Sequence, residues 1–323
     1  MSKTAKKALI LAGACAAAGL ILAFAAMAII RFDVERLNTM KFETRTYEVR
    51  ESFRRIEIRD VDCDVRLLPA DDGQCRVTCV ESDKIVNTVE VKDGVLTVTR
   101  QDNRRWYERM GIWWSGDADV TVYLPEREYR SIVLKTVSED VDVPEDFTFT
   151  TADVTTTSGD ISFLARTAGG LTLKSTSGKI TAGGADGGPV RAFTVSGDVR
   201  LSDTAAEELS VETTSGEVKL SRVTARELEI TTTSGEIELR SVRAEGDARL
   251  KSVSGDVELR DFDAADITIQ TTSGEVGGTL LSPKNFVTST TSGSVRAPAS
   301  DPSAGTCNVK TTSGDIKFEI STP

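Results

Sequence analysis

Eight carboxylates recur along this chain at nearly equal spacing: Asp140, Asp160, Asp198, Glu217, Glu236, Asp256, Glu275 and Asp315. Each stands two residues after a serine. Hard oxygen ligands in a line suit calcium, and the members of such a site would be Asp160, Asp198, Glu217, Glu236, Asp256 and Glu275. Carboxylates at one strand spacing also repel one another unless something compensates. Arg200, Lys219 and Lys317, two residues further on the same face, would screen the row as cross-strand partners do. Lys179 and Ser294 interrupt it. Paired carboxylates also cleave polysaccharides on β-helices, but those enzymes need a groove flanked by long loops, and the coils here are short and uniform. The chain has no histidine, which removes the commonest general base and metal ligand. The expectation is a non-enzymatic protein with no cofactor, no catalytic residue and no dedicated metal site.

A second group is aromatic. Trp106, Tyr107, Trp113 and Trp114 lie in RRWYERMGIWW, which holds all three tryptophans. Such anchors mark partner interfaces, glycan platforms and membrane belts; the alternative is that they plug an open end of the fold. The third group is Cys63, Cys75, Cys79 and Cys307. A hairpin about Pro69 to Gly73 would bring Cys63 near Cys79, giving one disulfide or a pair of buried thiols.

The serines that precede the acids define the element that positions them. Ser138, Ser158, Ser177, Ser196, Ser215, Ser234, Ser254, Ser273, Ser292 and Ser313 follow one another at steps of 19 to 21 residues. That regularity is the mark of a solenoid, whose repeats bury their apolar faces against their neighbours. Within a repeat the apolar residues alternate, as in Leu228, Ile230, then Ile237, Leu239, so the elements are strands. The alternation breaks at TTSG, which predicts an arc at Gly159, Gly178, Gly197, Gly216, Gly235, Gly255, Gly274, Gly293 and Gly314. Glycine there would supply a positive φ, and the Thr and Ser hydroxyls would stack on one another between coils. The expected fold is all-β: a β-solenoid of about ten coils over 131–323, roughly 45–50 Å long at one strand spacing per coil. A weaker copy of the repeat lies at 56–67. Residues 51–130 are strand-rich without the period and are expected to form an antiparallel cap, with Asp93-Gly94 as a hairpin turn. The last coil is expected to be open, offering Val309 and Ile316 to a second copy.

Ahead of the linker 31–50, residues 8–30 form a run of 23 uncharged residues, long enough to span a bilayer as one transmembrane helix. It follows Lys3, Lys6 and Lys7 in a tail, 1–7, that is expected to stay in the cytoplasm. The length of the run favours an uncleaved anchor over a signal peptide, and the apolar residues after Cys15 argue against a lipoprotein. The rest of the chain is then extracytoplasmic, single-pass at the cell membrane. It carries all 50 acids and 36 of the 39 Lys and Arg, a balance of −14. Nucleic acid is a poor partner for that charge.

The combination of RRIEIRDVDCDVRLLP, VEVKDGVLTV, VTVYLP with YRSIVLKTVSEDVDV, and the TTSGD or TTSGE repeats resembles a bacterial family of surface proteins, the putative adhesins, a domain of unknown function. The likeness covers about residues 50 to 320. It implies an envelope-associated β-solenoid, in some members linked to envelope stress, and assigns no catalytic residue. Glu139 in place of an arc glycine and the N-terminal anchor depart from the family pattern. The expected role is an adhesin-like binding module for an envelope protein or glycan; the alternatives are a self-associating scaffold and an envelope-stress sensor.

Overall fold

The computed structural model describes residues 3–29, 42–61, 63–105 and 119–321. The tryptophan segment 106–118 and the linker residues 31–41 lie outside the described residues. One helix, Lys3–Ile29, precedes a single continuous 26-stranded sheet that winds into a solenoid. Among the described residues no helix is long and apolar enough to cross a membrane. The anchor expected over 8–30 is therefore not shown; Ile30 and several side chains of the helix lie outside the described set.

The ten coils expected from residue 131 onward are present, and the regular ones have three sides. In the coil around Gly216, 208–213 runs up to the arc, 218–221 leaves it, and 223–225 forms a short third side. Successive coils pair in parallel and in register, so Leu209, Leu228, Ala248, Ile267 and Cys307 form one buried column. Val199, Val218, Ile237, Val257, Val276 and Ile316 form the facing one. Each Val, Leu or Ile of these columns contributes about 1.5–3 kcal/mol by leaving water.

The arc differs from the sequence expectation in two respects. Its glycines are required by space more than by backbone angle, since Gly314 alone among them has a φ in the left-handed half of the map, at 153°. A Cβ built on Gly216 would fall inside the carbonyl group of Gly197 in the coil below, and the same holds for Gly178 on Gly159 and Gly235 on Gly216. The left-handed residues sit at a different corner, between the second and third sides: Asp203, Arg222, Ser241 and Asp261, with φ of 50° to 55°. Also, the buried hydroxyl belongs to the first residue of TTSG, while the serine faces solvent. In most arcs that hydroxyl bonds to backbone instead of to its counterpart, Thr232 Oγ1 being buried without a partner among the described residues. Thr213 Oγ1 donates to the Gly197 carbonyl at 3.1 Å and Thr194 Oγ1 to Gly178 at 3.0 Å. Ser175 Oγ donates to Gly159 at 3.2 Å and accepts from the Gly178 N–H of its own coil at 2.8 Å.

The ends depart from sequence order. The strand Thr306–Lys310 lies between Asp266–Gln270 and Asn285–Ser289, and Ile316–Ile320 lies between Val276–Leu280 and Val295–Arg296. The final coil of the chain is thus internal, and Val309 and Ile316, expected at an open end, are buried. The coil 285–296 is outermost. It carries Thr288 where other coils carry an aliphatic residue, and its second strand is two residues long, so less apolar surface is left uncovered at the end. The loop beyond it covers part of the edge: Ser300 Oγ accepts from the Phe286 N–H at 3.1 Å and donates to the Phe286 carbonyl at 3.4 Å.

The same exchange occurs at the other end. The weak copy 56–67 forms a true coil, held between Val95–Asp102 and Glu128–Thr136 on one side and between Val120–Leu124 and Val141–Val143 on the next. Residues 51–130 therefore contribute two coils plus the antiparallel strands Cys75–Glu81 and Ile85–Lys92, and Glu43–Val49, within the stretch expected to be linker, pairs antiparallel with the first of these. Asp93 and Gly94 take φ of 51° and 71° at the expected hairpin turn. The hairpin about 69–73 does not pair with itself, because Val120–Leu124 lies between its arms. Cys63, Cys75, Cys79 and Cys307 are buried free thiols, and burial pushes those of Cys75, Cys79 and Cys307 up to about 12.

Replacing Gly216 with Ala forces backbone apart and is expected to cost about 1–3 kcal/mol. Thr213→Val, which strips the Gly197 carbonyl of its donor, is expected to cost about 1–3 kcal/mol, and Ser215→Ala almost nothing. Thermal unfolding of the three variants beside the parent checks the order; a Ser215→Ala loss as large as the others contradicts it.

Candidate functional site

The row of acids begins where the chain leaves each arc. Its aspartates are engaged by backbone: Oδ1 of Asp140 accepts the Asp160 N–H at 2.7 Å, Asp160 accepts that of Lys179 at 2.8 Å, and Asp198 that of Glu217 at 3.0 Å. Asp256 accepts from Glu275 at 2.8 Å. The series continues backward through Asp64, which accepts from Asp140 at 3.0 Å. At the exchanged end Asp315 accepts from Ser294 at 2.7 Å, as the altered coil order requires. Each aspartate therefore closes the corner of the coil stacked on it.

Cations compensate the remaining charge. Arg200 lies 3.0 Å from Asp198 and 3.4 Å from Glu217, and Lys219 bridges Glu217 at 2.8 Å and Glu238 at 3.1 Å. Arg260 reaches Glu258 at 2.7 Å. Glu236 has the least compensation: partial burial, then Glu217, Glu238, Asp256 and Glu258 around it, holds its carboxyl above the usual range. Among the described residues no group of three or more His, Cys, Asp or Glu side chains is arranged to hold a metal ion.

Concavities among the described residues interrupt the regular surface. A cleft of about 380 Å³ follows the acid row past Asp64, Asp140, Asp142 and Asp160, with Arg66 and Lys179 on its rim. A groove of about 680 Å³ runs along the left-handed corner past Leu164, Arg166, Asp186 and Asp203. There Arg222 forks onto both oxygens of Asp203 at 2.7 and 2.6 Å and holds that carboxyl below the usual carboxylate range. The third, of about 570 Å³, is lined by Arg54, Arg55, Arg127 and Arg130 with Ser52, Phe53, Asp93 and Gly94. Sequence reasoning missed it, since Arg54-Arg55 and the pair Arg127, Arg130 are far apart in the chain and only parallel pairing of Arg55 with Ser131 brings them together. The predicted anchors Trp106, Tyr107, Trp113 and Trp114 fall outside the described residues.

Stacked coils of 19 to 21 residues with a Gly-carbonyl contact at each arc define an all-β solenoid. The chain belongs to the Toastrack DUF4097 family, whose profile matches residues 53–186 and again 188–322. No curated protein matches it. Solved structures similar to it include a putative adhesin from Bacteroides fragilis NCTC 9343, at 16% identity over 87% of this chain and 99% of that one, with a TM-score of 0.37. A putative adhesin from Parabacteroides distasonis ATCC 8503 shows 11% identity, 87% and 98% coverage and a TM-score of 0.43. A putative lipid binding protein from the same organism shows 14% identity, 86% and 97% coverage and a TM-score of 0.40.

Asp256→Ala leaves the Glu275 N–H without its acceptor and is expected to lower stability by about 1 kcal/mol, with Asp256→Asn restoring most of it. Calcium or a chelator is expected to leave the unfolding midpoint unchanged. The raised carboxyl of Glu236 weakens the folded state while ionised, and the penalty is relieved as pH falls through its folded-state value. Glu236→Gln is therefore expected to raise the midpoint at pH 7, the gain fading below about pH 4.3, where a free glutamate also takes up its proton. Thermal scans from pH 3 to 8 read both effects.

Proposed function

We propose that this protein is a non-enzymatic, adhesin-like binding module of the cell envelope, a rigid solenoid held outside the membrane by its N-terminal segment. The observation that carries this reading is the commitment of the aspartate row to backbone N–H groups. The most regular chemistry in the sequence is thereby used to hold coils together. What remains for function is the outward surface, presented in fixed rows by coils that cannot shift register without exposing their buried columns.

Anchoring is supported by the uncharged run of residues 8–30 after Lys3, Lys6 and Lys7. Among the described side chains of the helix Lys3–Ile29, Leu20, Ile21, Leu22, Phe24 and Ile29 are 67% to 81% exposed and are spread around its axis. A helix apolar on all sides is stable where its surroundings are apolar too. With the lysines inside, the solenoid faces outward, where its acidic surface repels nucleic acid. Trp106, Tyr107, Trp113 and Trp114 are the partner anchors in this reading, for an envelope protein or glycan.

A self-associating scaffold is the second reading, favoured by Val287 and Val295, 52% and 46% exposed on the outermost coil. The Ser300 contacts on Phe286 weigh against it, because they occupy edge groups that a second copy would need. An envelope-stress sensor rests on family resemblance alone.

The full chain in detergent, mixed with isolated cell-envelope material, is expected to be retained, and the triple change Trp106→Ala, Trp113→Ala, Trp114→Ala to abolish retention while leaving the unfolding midpoint in place. Retention unaffected by the triple change removes the aromatic anchors from the reading. Sedimentation over a concentration series separates the scaffold, which grows with concentration, from the binding module, which does not.

A further inference from the structure

On a chain of net charge −11, the open cleft at the Asp93-Gly94 turn is lined by four arginines and one acid. Many arginines of this protein sit on carboxylates, as Arg76 does on Asp72 at 2.6 Å and Arg191 on Glu208 at 2.7 Å. The four in the cleft make no such pair among the described residues. Two are held in place by neutral groups. Arg55 donates Nη2–H to the Asp93 carbonyl at 2.9 Å. Arg127 donates Nη2–H to the Phe53 carbonyl at 2.9 Å, with its guanidinium over the Phe53 and Tyr129 rings at 5.1 and 5.0 Å. Those rings begin an aromatic stack that continues to Phe149 and Phe163, so the platform under Arg127 is part of the core. Arg54 and Arg130 complete the ring. Their backbones are fixed, with the Arg54 N–H on the Gly94 carbonyl at 3.1 Å and the Arg130 N–H on the Arg54 carbonyl at 2.8 Å.

Four guanidinium groups gathered without a counter-charge repel one another, and a planar fork of donors matches the oxygens of an oxyanion. We infer that this cleft is a binding site for a phosphate-bearing ligand. The balance of three positive charges favours a phosphate, which carries up to two negative charges, over a single carboxylate. A cleft of about 570 Å³ exceeds a bare ion and falls within the range of small-molecule sites, so the phosphate would carry an organic group, from a soluble metabolite or a lipid headgroup. Asp93 lines the cleft as well, and its carboxylate would disfavour anions carrying more charge than the arginines neutralise. The site is independent of the tryptophan segment and of the reading placed on it above.

The test uses the full chain in detergent, titrated with inorganic phosphate, glycerol 3-phosphate or chloride at matched ionic strength, and read by thermal unfolding and calorimetry. Both phosphates are expected to raise the midpoint saturably at low-millimolar concentration, and chloride not to. Glycerol 3-phosphate is expected to bind more tightly than inorganic phosphate, and equal affinity overturns the organic group; a short-chain phosphatidic acid binding more tightly still supports a lipid-headgroup source, and no further gain a soluble metabolite. Arg54→Gln with Arg130→Gln, which removes side chains without structural contacts, is expected to weaken binding at least about tenfold. The Asp93→Asn change, which keeps the carbonyl used by Arg55, is expected to tighten it. No difference between phosphate and chloride, or an equal response in the double variant, as a general salt effect would give, overturns the assignment.

Discussion

The approach of each arc glycine to the carbonyl below it sets the geometry of the whole rod. No side chain fits between them, so coils lie at strand spacing at their sharpest bend as well as along their flat sides. The Thr or Ser hydroxyl beside the glycine fills the one polar need that this closeness creates, by donating to that same carbonyl. The aspartate one residue beyond the glycine does the corresponding service for the next N–H. TTSGD is thus one connected unit in which space, a donor and an acceptor are supplied at fixed places. Its repetition follows from the fact that each coil completes the hydrogen bonding of its neighbour.

That unit also explains how an acidic protein tolerates a ladder of carboxylates. Bonds to backbone N–H groups and flanking cations such as Arg200 and Lys219 offset the repulsion along most of the row. Where compensation is thinnest, at Glu236, the carboxyl is the one displaced upward. The arginine cleft is the converse case, with positive charge gathered and, among the described residues, no acid in an ion pair with it. What sets the cleft apart is that four such groups converge on one concavity.

Much of this fold was legible in the sequence because period-two alternation and a period of 19 to 21 residues record which side chains point inward and where the corners fall. The pattern does not record which coil lies beside which. Ile316 fits equally well against Val276 or Val295, and it contacts both because the last coil is inserted between them. Likewise the left-handed corner at Asp203, Arg222, Ser241 and Asp261 carries no glycine to announce it. The serine of TTSG looked inward by parity alone, but the chain changes face one residue earlier, at the second threonine. The arginine cleft needed the register between Arg55 and Ser131, which no local pattern contains.

The insertion of the first and last coils between others has a mechanical consequence. In a simple stack, a pull on either end of the chain would peel the outermost coil away one hydrogen bond at a time. Here Arg55–Val61 and Thr306–Lys310 are each paired on both sides, so tension that reaches either strand must shear two parallel ladders together, whereas Glu43–Val49 ahead of them holds a single antiparallel pairing. Loads spread over many bonds in parallel are resisted far better than loads that open them in sequence. Inserted coils of this kind resist a load where a coil at the edge of a simple stack would fray.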